Sequence, residues 1–340
     1  MTERPQLVVV GGFLGAGKTT LILAAARILA QRGVRSAVIL NDQGDDLVDT
    51  KLARAAGVSA DQVAGGCFCC RFSDLISAAS RLREFAPDVI FAEPVGSCTD
   101  ISATILQPLR AEFAGDYRLA PYTVLVDPHR EETDADMRFL FEKQLEEADL
   151  ICFTKSDLAG REGSEMSVSA RTGEGVEAWL DMVLSTAISP GSRILEIDYQ
   201  RYAEAEAALA WLNASIHVHL ETPLSPAMVL GPLVDGIHER LHVLGVSIAH
   251  LKVFNDTPTG FLKAAIARNG DEPSVEGALD ASPAQEHILS VNLRAIGDPA
   301  AVENIMREEI AKLPGFIEID RMVCFRPSPP KPERRMTTFA

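Results

Sequence analysis

The segment Gly12-Phe13-Leu14-Gly15-Ala16-Gly17-Lys18-Thr19 follows the apolar run Leu7–Val10 and opens the helical pattern Lys18–Gln31. It fits G-x-x-x-x-G-K-[ST] between a strand and a helix, the setting in which that spacing has a mechanism. Gly12, Gly15 and Gly17, with the small Ala16, let backbone N–H groups curl around phosphate oxygens. The helix N-terminus adds partial positive charge. Lys18 is expected to reach the β- and γ-phosphates and the Thr19 hydroxyl to ligate Mg2+, with Thr20 in the same binding turn. A glycine-rich turn without a ligand leaves the lysine and threonine unexplained.

Working outward, short β-branched runs alternate with amphipathic stretches through residue 190. Strands are expected at Leu7–Val10, Ser36–Leu40, Asp88–Ala92, Tyr122–Val126, Asp149–Thr154 and Glu165–Ser169. Helices are expected at Lys18–Gln31, Asp74–Phe85, Asp100–Phe113, Asp134–Glu146 and Val176–Thr186. Strands apolar on both faces belong in a parallel sheet covered by helices. The fold class is α/β: a P-loop NTPase domain over residues 1–190, its mainly parallel sheet flanked by helices. Residues 191–213 read as linker and helix, the helix running Asp198–Leu212 with Asp198 as its cap. Residues 214–326 mix strands (Ile216–Leu220, Val246–Phe254, Gly260–Ala267, His287–Leu293, Phe316–Phe325) with helices (Pro226–Leu244, Asp298–Leu313). That order predicts a smaller α+β domain of split βαβ type. Residues 327–340 read as a disordered, basic, proline-rich tail.

The 340 residues, 47% of them apolar, suffice for two cores. Lys and Arg number 32 against 48 Asp and Glu, a net charge of −16. Such a chain is not a general binder of nucleic acid or anionic membrane, although a local basic pocket can still hold phosphate. Six cysteines are too few for a disulfide framework. No uncharged run approaches the ~20 residues of a membrane span, and the N-terminus lacks the apolar length of a signal peptide. A cytoplasmic protein with reduced thiols is expected.

The strand Asp149–Thr154 ends in Thr154-Lys155-Ser156-Asp157, close to the N-K-x-D by which P-loop GTPases read guanine. The aspartate accepts from the guanine N1–H and exocyclic amine, a donor pair adenine lacks. Ser169-Ala170-Arg171 resembles the S-A-[KL] element at the guanine oxygen. Together they favour GTP over ATP. Two acidic residues end apolar strands, Glu93 and Asp127. Glu93 is preferred for Mg2+ and the attacking water because Gly96, three residues on, is spaced as a γ-phosphate-sensing glycine; Asp127 is the runner-up. Asn41-Asp42-Gln43-Gly44-Asp45-Asp46 suits either a switch segment or a solvated acidic loop.

Gly65-Gly66-Cys67-Phe68-Cys69-Cys70 places three thiols within four residues. Thiolates are soft ligands for Zn2+ and other borderline ions, and C-x-C-C is not the two-pair spacing of a closed zinc ribbon. Three sulfurs leave one position open, as a transferable site requires. Buried apolar cysteines or a redox pair are the alternatives. Cys98 lies two residues beyond Gly96, from where it could reach the same region. His217 and His219 share a strand face, and His238 and His242 a helix face. Each pair suits a metal or an ordinary polar face.

A P-loop, then G-G-C-x-C-C, then an E-x-x-G strand end, then [NT]-K-x-D resembles the CobW-type metallochaperone GTPases over residues 7–186. The resemblance implies GTP·Mg2+ at the P-loop, held through Lys18, Thr19 and Glu93, with Lys155 and Asp157 on guanine. It implies Zn2+, or Co2+ or Ni2+, on Cys67, Cys69 and Cys70, released as GTP is hydrolysed. Asn41–Asp46 looks like that family's N-[DE]-x-G switch segment, which puts Asp42 with Lys18 and Glu93 among the catalytic candidates. The implied partners are a client metalloenzyme or corrinoid protein, and a nucleotide-dependent homodimer. The chain departs from the pattern at Pro94-Val95, where small hydroxyl residues are usual, at Thr154 for asparagine, and in having no long histidine run. The main rival is a GTPase conformational chaperone for a corrinoid enzyme without metal cargo. A P-loop kinase and a non-catalytic scaffold are the others.

Overall fold

Runs of Val, Ile and Leu without a polar face pair into one parallel sheet. The computed structural model describes residues 4–44, 48–130, 134–158, 166–185 and 187–338. Asp45 and Asp46 of the expected switch segment, Glu165 and Thr186 lie outside them. The chain divides into two compact units. The first takes residues up to Gln43, Asp49–Glu206 and the segment from Pro329. The second takes Ala207–Ser328 with Gly44 and Val48.

In the first unit the strands are β1 (Gln6–Gly12), β2 (Ser36–Asn41), β3 (Ser59–Val63), β4 (Val89–Glu93), β5 (Arg118–Leu119), β6 (Thr123–Val126) and β7 (Leu150–Phe153). Their order is β3-β2-β4-β1-β6-β7, with β5 beside β1, and every pairing is parallel. The C-terminal ends of β1, β2, β4, β6 and β7 therefore share one edge of the sheet. They deliver Gly12, Asn41, Glu93, Asp127 and Thr154 there, the edge where such sheets bind ligands. Among the described residues the α-helices mainly of this unit are α1 (Lys18–Gln31), α2 (Val48–Ala55), α3 (Phe72–Leu82), α4 (Gln107–Phe113), α5 (Ala135–Glu147), α6 (Val176–Leu184) and α7 (Tyr199–Ala207). The apolar face of α1 (Leu21, Ile22, Ala25, Leu29) is buried.

The second unit is an antiparallel sheet with two helices. Its elements are β8 (Leu209–Leu224), α8 (Pro226–Val243), β9 (Ser247–Thr257), β10 (Gly260–Ile266), β11 (Ser274–Gly277), β12 (Ala284–Ile296), α9 (Pro299–Ile310) and β13 (Phe316–Phe325). The order β11-β10-β9-β12-β8-β13 seats β12 between β8 and β9, and β8 between β12 and β13. Both are split βαβ arrangements, as the sequence predicts, and the β10–β11 hairpin extends one edge. Along β8, Ala214, Ile216 and Val218 join one core with Val229, Leu233 and Ile237 of α8 and Val302, Met306 and Ile310 of α9. The alternate residues His217 and His219 face away from that core.

The structure differs from the sequence reading at several places. The helix expected over Asp198–Leu212 stops at Ala207, and Leu209–Leu212 begin β8. The alanine-rich stretch has helical propensity, but full pairing with β12 (Leu212 opposite Leu293) overrides it. Asp198 does cap the helix, its carboxylate accepting from the Gln200 N–H at 2.8 Å. The strand expected at Glu165–Ser169 is a single bridge between Ser167 and Phe153. β3 is an edge strand too polar to stand out by pattern. The boundary between units falls at Glu206, because Tyr202 and Glu206 of α7 bond into the 97–99 loop. Residues 329–338, expected within a disordered tail, pack on the first unit: the N–H of Glu333 donates to the Cys69 carbonyl and that of Met336 to the Ala103 carbonyl, both at 2.9 Å.

Candidate functional site

Strand β1 ends at Gly12 with φ 132°, a conformation L side chains avoid, and a Cβ there would stand 2.6 Å from the Leu125 carbonyl. The loop closes with the Ala16 N–H on the Phe13 carbonyl at 3.1 Å, and Gly17 starts α1. Gly15 and Thr20 are half-buried in this turn. The buried Lys18 side chain folds back, Nζ donating to the carbonyls of Gly12 (2.8 Å) and Phe13 (3.3 Å). The Thr19 hydroxyl meets the Glu93 carboxylate at 2.9 and 3.1 Å. Two buried hard oxygen donors at that spacing are the chemistry Mg2+ takes, so these residues fit it. Asp127 is engaged elsewhere, by Lys155 Nζ at 2.6 Å and the His129 N–H at 3.0 Å. Asp42 follows β2, its N–H on the Val63 carbonyl at 3.2 Å.

The loop after β7 is tied to the phosphate loop by Thr154, whose hydroxyl donates to the Ala16 carbonyl at 2.9 Å. Lys155 takes a left-handed backbone (φ 58°) and is held there by Asp127. Asp157 is exposed in the short turn Ser156–Leu158. The Ser156 N–H donates to the Val168 carbonyl at 3.3 Å, which brings Ser169 and Ala170 alongside. The two halves of the expected base site are thus neighbours.

In the segment from Pro94 to Ser102, Gly96 packs against Leu14 of the phosphate loop. A Cβ on Gly96 would lie 2.7 Å from Leu14 Cδ2 and 3.0 Å from the Leu14 nitrogen. Buried polar groups pin this segment. Gln144 Nε2 donates to the carbonyls of Gly96 (3.0 Å) and Cys98 (2.8 Å). The hydroxyls of Ser97 and Thr99 donate to Glu206 (2.5 Å) and Glu147 (3.0 Å). Burial pushes both of those carboxyls up to about 8. Asp100 takes a left-handed backbone, φ 64°, and accepts from the Tyr199 hydroxyl at 2.6 Å and Arg335 at 2.7 Å.

Beyond β3 the thiol loop turns into α3, its Cys70 N–H on the Cys67 carbonyl at 3.0 Å. Asn41, at the end of β2, ties the end of β3 and this loop together by three bonds, two of them to the loop. Its Nδ2 donates to the carbonyls of Val63 (2.9 Å) and Gly66 (2.7 Å), and its Oδ1 accepts from the Phe68 N–H (2.8 Å). Cys67 and Cys69 are buried and Cys70 half-buried. Their sulfurs all lie within 4.8 Å of one another, the one such metal-ligating group among the described residues. A tetrahedron with metal–sulfur bonds of about 2.3 Å has edges of about 3.8 Å. Cys69 and Cys70 already stand at 3.7 Å; Cys67 and Cys69 are closer, at 2.6 Å. Hydrogen bonds from Cys69, Cys70 and Cys98 hold the Cys67 thiol well below its ordinary range. The bond to Cys67 pushes Cys69 up, and the same cause takes Cys70 to about 11.

Sequence reasoning missed several of these residues. Arg130 bonds the Leu14 carbonyl and stacks on Phe13, its Cζ 4.8 Å from the ring centroid. The Lys331 N–H donates to Cys70 Sγ at 3.1 Å, and Glu333 accepts from the Ser73 N–H and hydroxyl at the start of α3. Lone residues far along the chain give no local signal. The histidine pairs remain on polar faces: His217 and His219 meet Asp320 (3.5 Å) and Glu286 (3.2 Å), and His238 accepts from the Gly270 N–H.

The chain is similar to the zinc chaperone CobW of Sinorhizobium sp., at 34% identity over 199 residues, 48% of this chain and 55% of that protein. It is 31% identical to the zinc chaperone YjiA of Escherichia coli strain K12 over 156 residues, 44% of this chain and 48% of that one. It therefore spans about half the length of the curated relatives it matches. Among solved structures, HypB from Helicobacter pylori in complex with nickel is similar at a TM-score of 0.41 and 19% identity, covering 54% of this chain and 86% of that one. Zn(II)-bound YjiA GTPase from E. coli is similar at a TM-score of 0.36 and 16% identity, covering 92% and 99%. No helix of the described residues is long and apolar enough to cross a membrane. The nucleotide-binding domain described as CobW/HypB/UreG matches residues 6–179, more than half of the 340 and inclusive of both the phosphate loop and the thiol loop; the chain belongs to that family.

Proposed function

We propose that this protein is a GTP-hydrolysing metallochaperone whose nucleotide state controls a divalent ion, Zn2+ in the first instance, carried on Cys67, Cys69 and Cys70. The observation that carries the reading is Asn41. It holds the thiol loop through Gly66 and Phe68, and it follows Leu40, which pairs in register with Glu93. The cargo loop and the γ-phosphate side of the nucleotide site thus hang from adjacent strand ends. The zinc-chaperone names of the relatives support Zn2+ as the ion.

In this reading the loop amides and the α1 N-terminus bind the phosphates, and Lys18 exchanges its carbonyl partners for the β- and γ-phosphate oxygens. Thr19 and Glu93 would hold Mg2+, which neutralises charge on those oxygens. Asp157 and Lys155 select guanine, and Thr154 keeps their loop against the phosphate loop. Gly96, packed on Leu14, presents its backbone to the γ-phosphate. Water attacks the γ-phosphorus, the bond to the β–γ bridging oxygen breaks, and GDP and phosphate form. The 94–102 and 41–44 segments then lose the contact that ordered them, and the thiol loop loosens its ion. A client metalloenzyme or corrinoid protein would receive it.

The test is Zn2+ affinity measured without nucleotide, with GDP and with a non-hydrolysable GTP analogue. A change of about 10-fold or more between states is expected, a coupling of about 1.4 kcal/mol. Equal affinities in all three would reject coupling. Absence of tight metal binding in every state would favour the conformational chaperone without cargo.

A further inference from the structure

Near its C-terminus the chain reads Ser328-Pro329-Pro330-Lys331-Pro332-Glu333. Proline has no backbone N–H. From Pro329 to Pro332, Lys331 therefore supplies the one backbone donor, and that donor is spent on the Cys70 sulfur at 3.1 Å. The next donor along the chain, the Glu333 N–H, meets the Cys69 carbonyl at 2.9 Å. The Glu333 carboxylate then accepts from the Ser73 N–H (3.0 Å) and hydroxyl (2.6 Å), at the start of α3. Arg335 donates to Asp100 at 2.7 Å and to the Leu195 carbonyl at 3.1 Å. Pro330 is buried. Prolines also reduce the chain freedom lost on docking. Of the three clustered thiols Cys70 alone is half-buried, so the segment touches the sulfur that solvent still reaches.

We propose that residues 329–336 form a strap that retains the metal, with Lys331 as a positioning residue whose backbone N–H holds the Cys70 thiolate. This rests on the metal-carrying reading above and deepens it. A thiolate bound to an ion keeps lone pairs. A backbone N–H on one of them makes a charge-assisted bond that fixes the direction of the sulfur, as outer partners do for metal ligands. An amide neither titrates nor competes for the ion, so it supports the ligand without replacing it. Glu333 and Arg335 anchor the strap beyond Lys331. Release of the ion from Cys70 then requires the strap to lift, and retention depends on how firmly it is held.

Two full-length variants separate the amide from the side chain. Lys331→Pro removes the N–H where the following Pro332 already favours an extended backbone. Lys331→Ala keeps the N–H and deletes only the ammonium. Stopped-flow transfer of Zn2+ from each loaded protein to pyridylazoresorcinol reads release, with thermal melts checking that the variants fold. Lys331→Pro should release Zn2+ about 10-fold or more faster than wild type, the cost of a lost outer partner, and Lys331→Ala should stay within a factor of about 3. Equal rates in all three proteins, or equal acceleration in both variants, would overturn the proposal. The Co2+-loaded proteins give a reading that a merely structural role would not move. The thiolate-to-cobalt charge-transfer band of Lys331→Pro should shift to longer wavelength, because the sulfur loses a donor that stabilised its lone pair; an unmoved band would overturn the assignment. If Lys331→Pro does not fold, Glu333→Ala, which frees the strap from Ser73, takes its place in the rate comparison: faster release supports the strap, and a wild-type rate rejects it. A wild-type protein that takes up no Zn2+ would remove the metal reading itself, and the strap's role with it.

Discussion

The Thr19 hydroxyl donates to the Glu93 carboxylate, 2.9 and 3.1 Å from its two oxygens, so two residues 74 positions apart form one oxygen-lined corner beside the phosphate loop. Glu93→Gln keeps the shape and the acceptor while removing the charge. GTP turnover should fall about 100-fold, the scale of a lost acid–base or metal-positioning group. The Mg2+ enhancement of nucleotide affinity should fall with it. Phosphate release and fluorescent-nucleotide titration with and without Mg2+ measure the two. Turnover within a factor of about 3 of wild type would remove Glu93 from the mechanism.

Asp157 stands exposed on a loop that Thr154 and Lys155 hold in place. Asp157→Ala deletes the carboxylate offered to the guanine N–H pair. Preference for GTP over ATP should drop about 10- to 100-fold, the value of hydrogen bonds to a charged group. Competition binding with both nucleotides reads it directly, and an unchanged ratio would sink the guanine assignment.

Asn41 separates the two halves of the proposed coupling. Asn41→Ala strips the thiol loop of two bonds and the end of β3 of one, removing that partner from the Gly66 carbonyl, the Phe68 N–H and the Val63 carbonyl. The Val63 carbonyl keeps the Asp42 N–H, while leaving the Gly66 carbonyl and the Phe68 N–H unsatisfied costs about 1–3 kcal/mol each. Zn2+ affinity should fall about 10-fold or more, and its dependence on nucleotide should vanish, while nucleotide still binds. Retained dependence would show that coupling runs by another route.

Glu147 predicts a pH dependence of stability. Burial raises its carboxyl to about 8, so the folded protein keeps a proton that an unfolded chain releases near the ordinary glutamate value of 4.5. The folded state binds more protons between those limits. Stability is therefore full below about 4.5, falls as pH rises toward about 8 by up to roughly 1.4 kcal/mol per unit, and levels off above. Glu147→Gln mimics the protonated form and should flatten this limb of a melting-temperature profile. An unaltered profile would place the titration elsewhere.

The phosphate loop, the thiol loop and T-K-S-D could be read because each is contiguous: a handful of adjacent residues contains the chemistry. The bonds that hold the Cys98 segment could not. Ser97 meets Glu206 from 109 positions away, and Thr99 meets Glu147 from 48. A lone glutamate in a helical stretch looks like any solvated charge. β3 escaped notice because an edge strand with one apolar anchor, Val63, has no alternation to detect. Leu209–Leu212 were misread for a different reason. Local propensity favours helix, and only pairing with residues some 80 positions later reverses it. The proline-rich segment from 329 to 338 has the composition of a solvated tail, and specific backbone bonds override that prior.

The bond from Lys331 to Cys70 spans 261 positions. Synthesis runs from the N-terminus at about 5–20 residues per second, so Lys331 follows Cys70 from the ribosome by tens of seconds. In that interval the thiol loop can fold onto Asn41 while the segment that later covers it does not yet exist. Chains arrested before residue 329 should alkylate faster at Cys70 than complete ones, and equal rates would refute this. The order of translation thus gives the thiol loop an early period in which the segment that later bonds Cys70 is still missing.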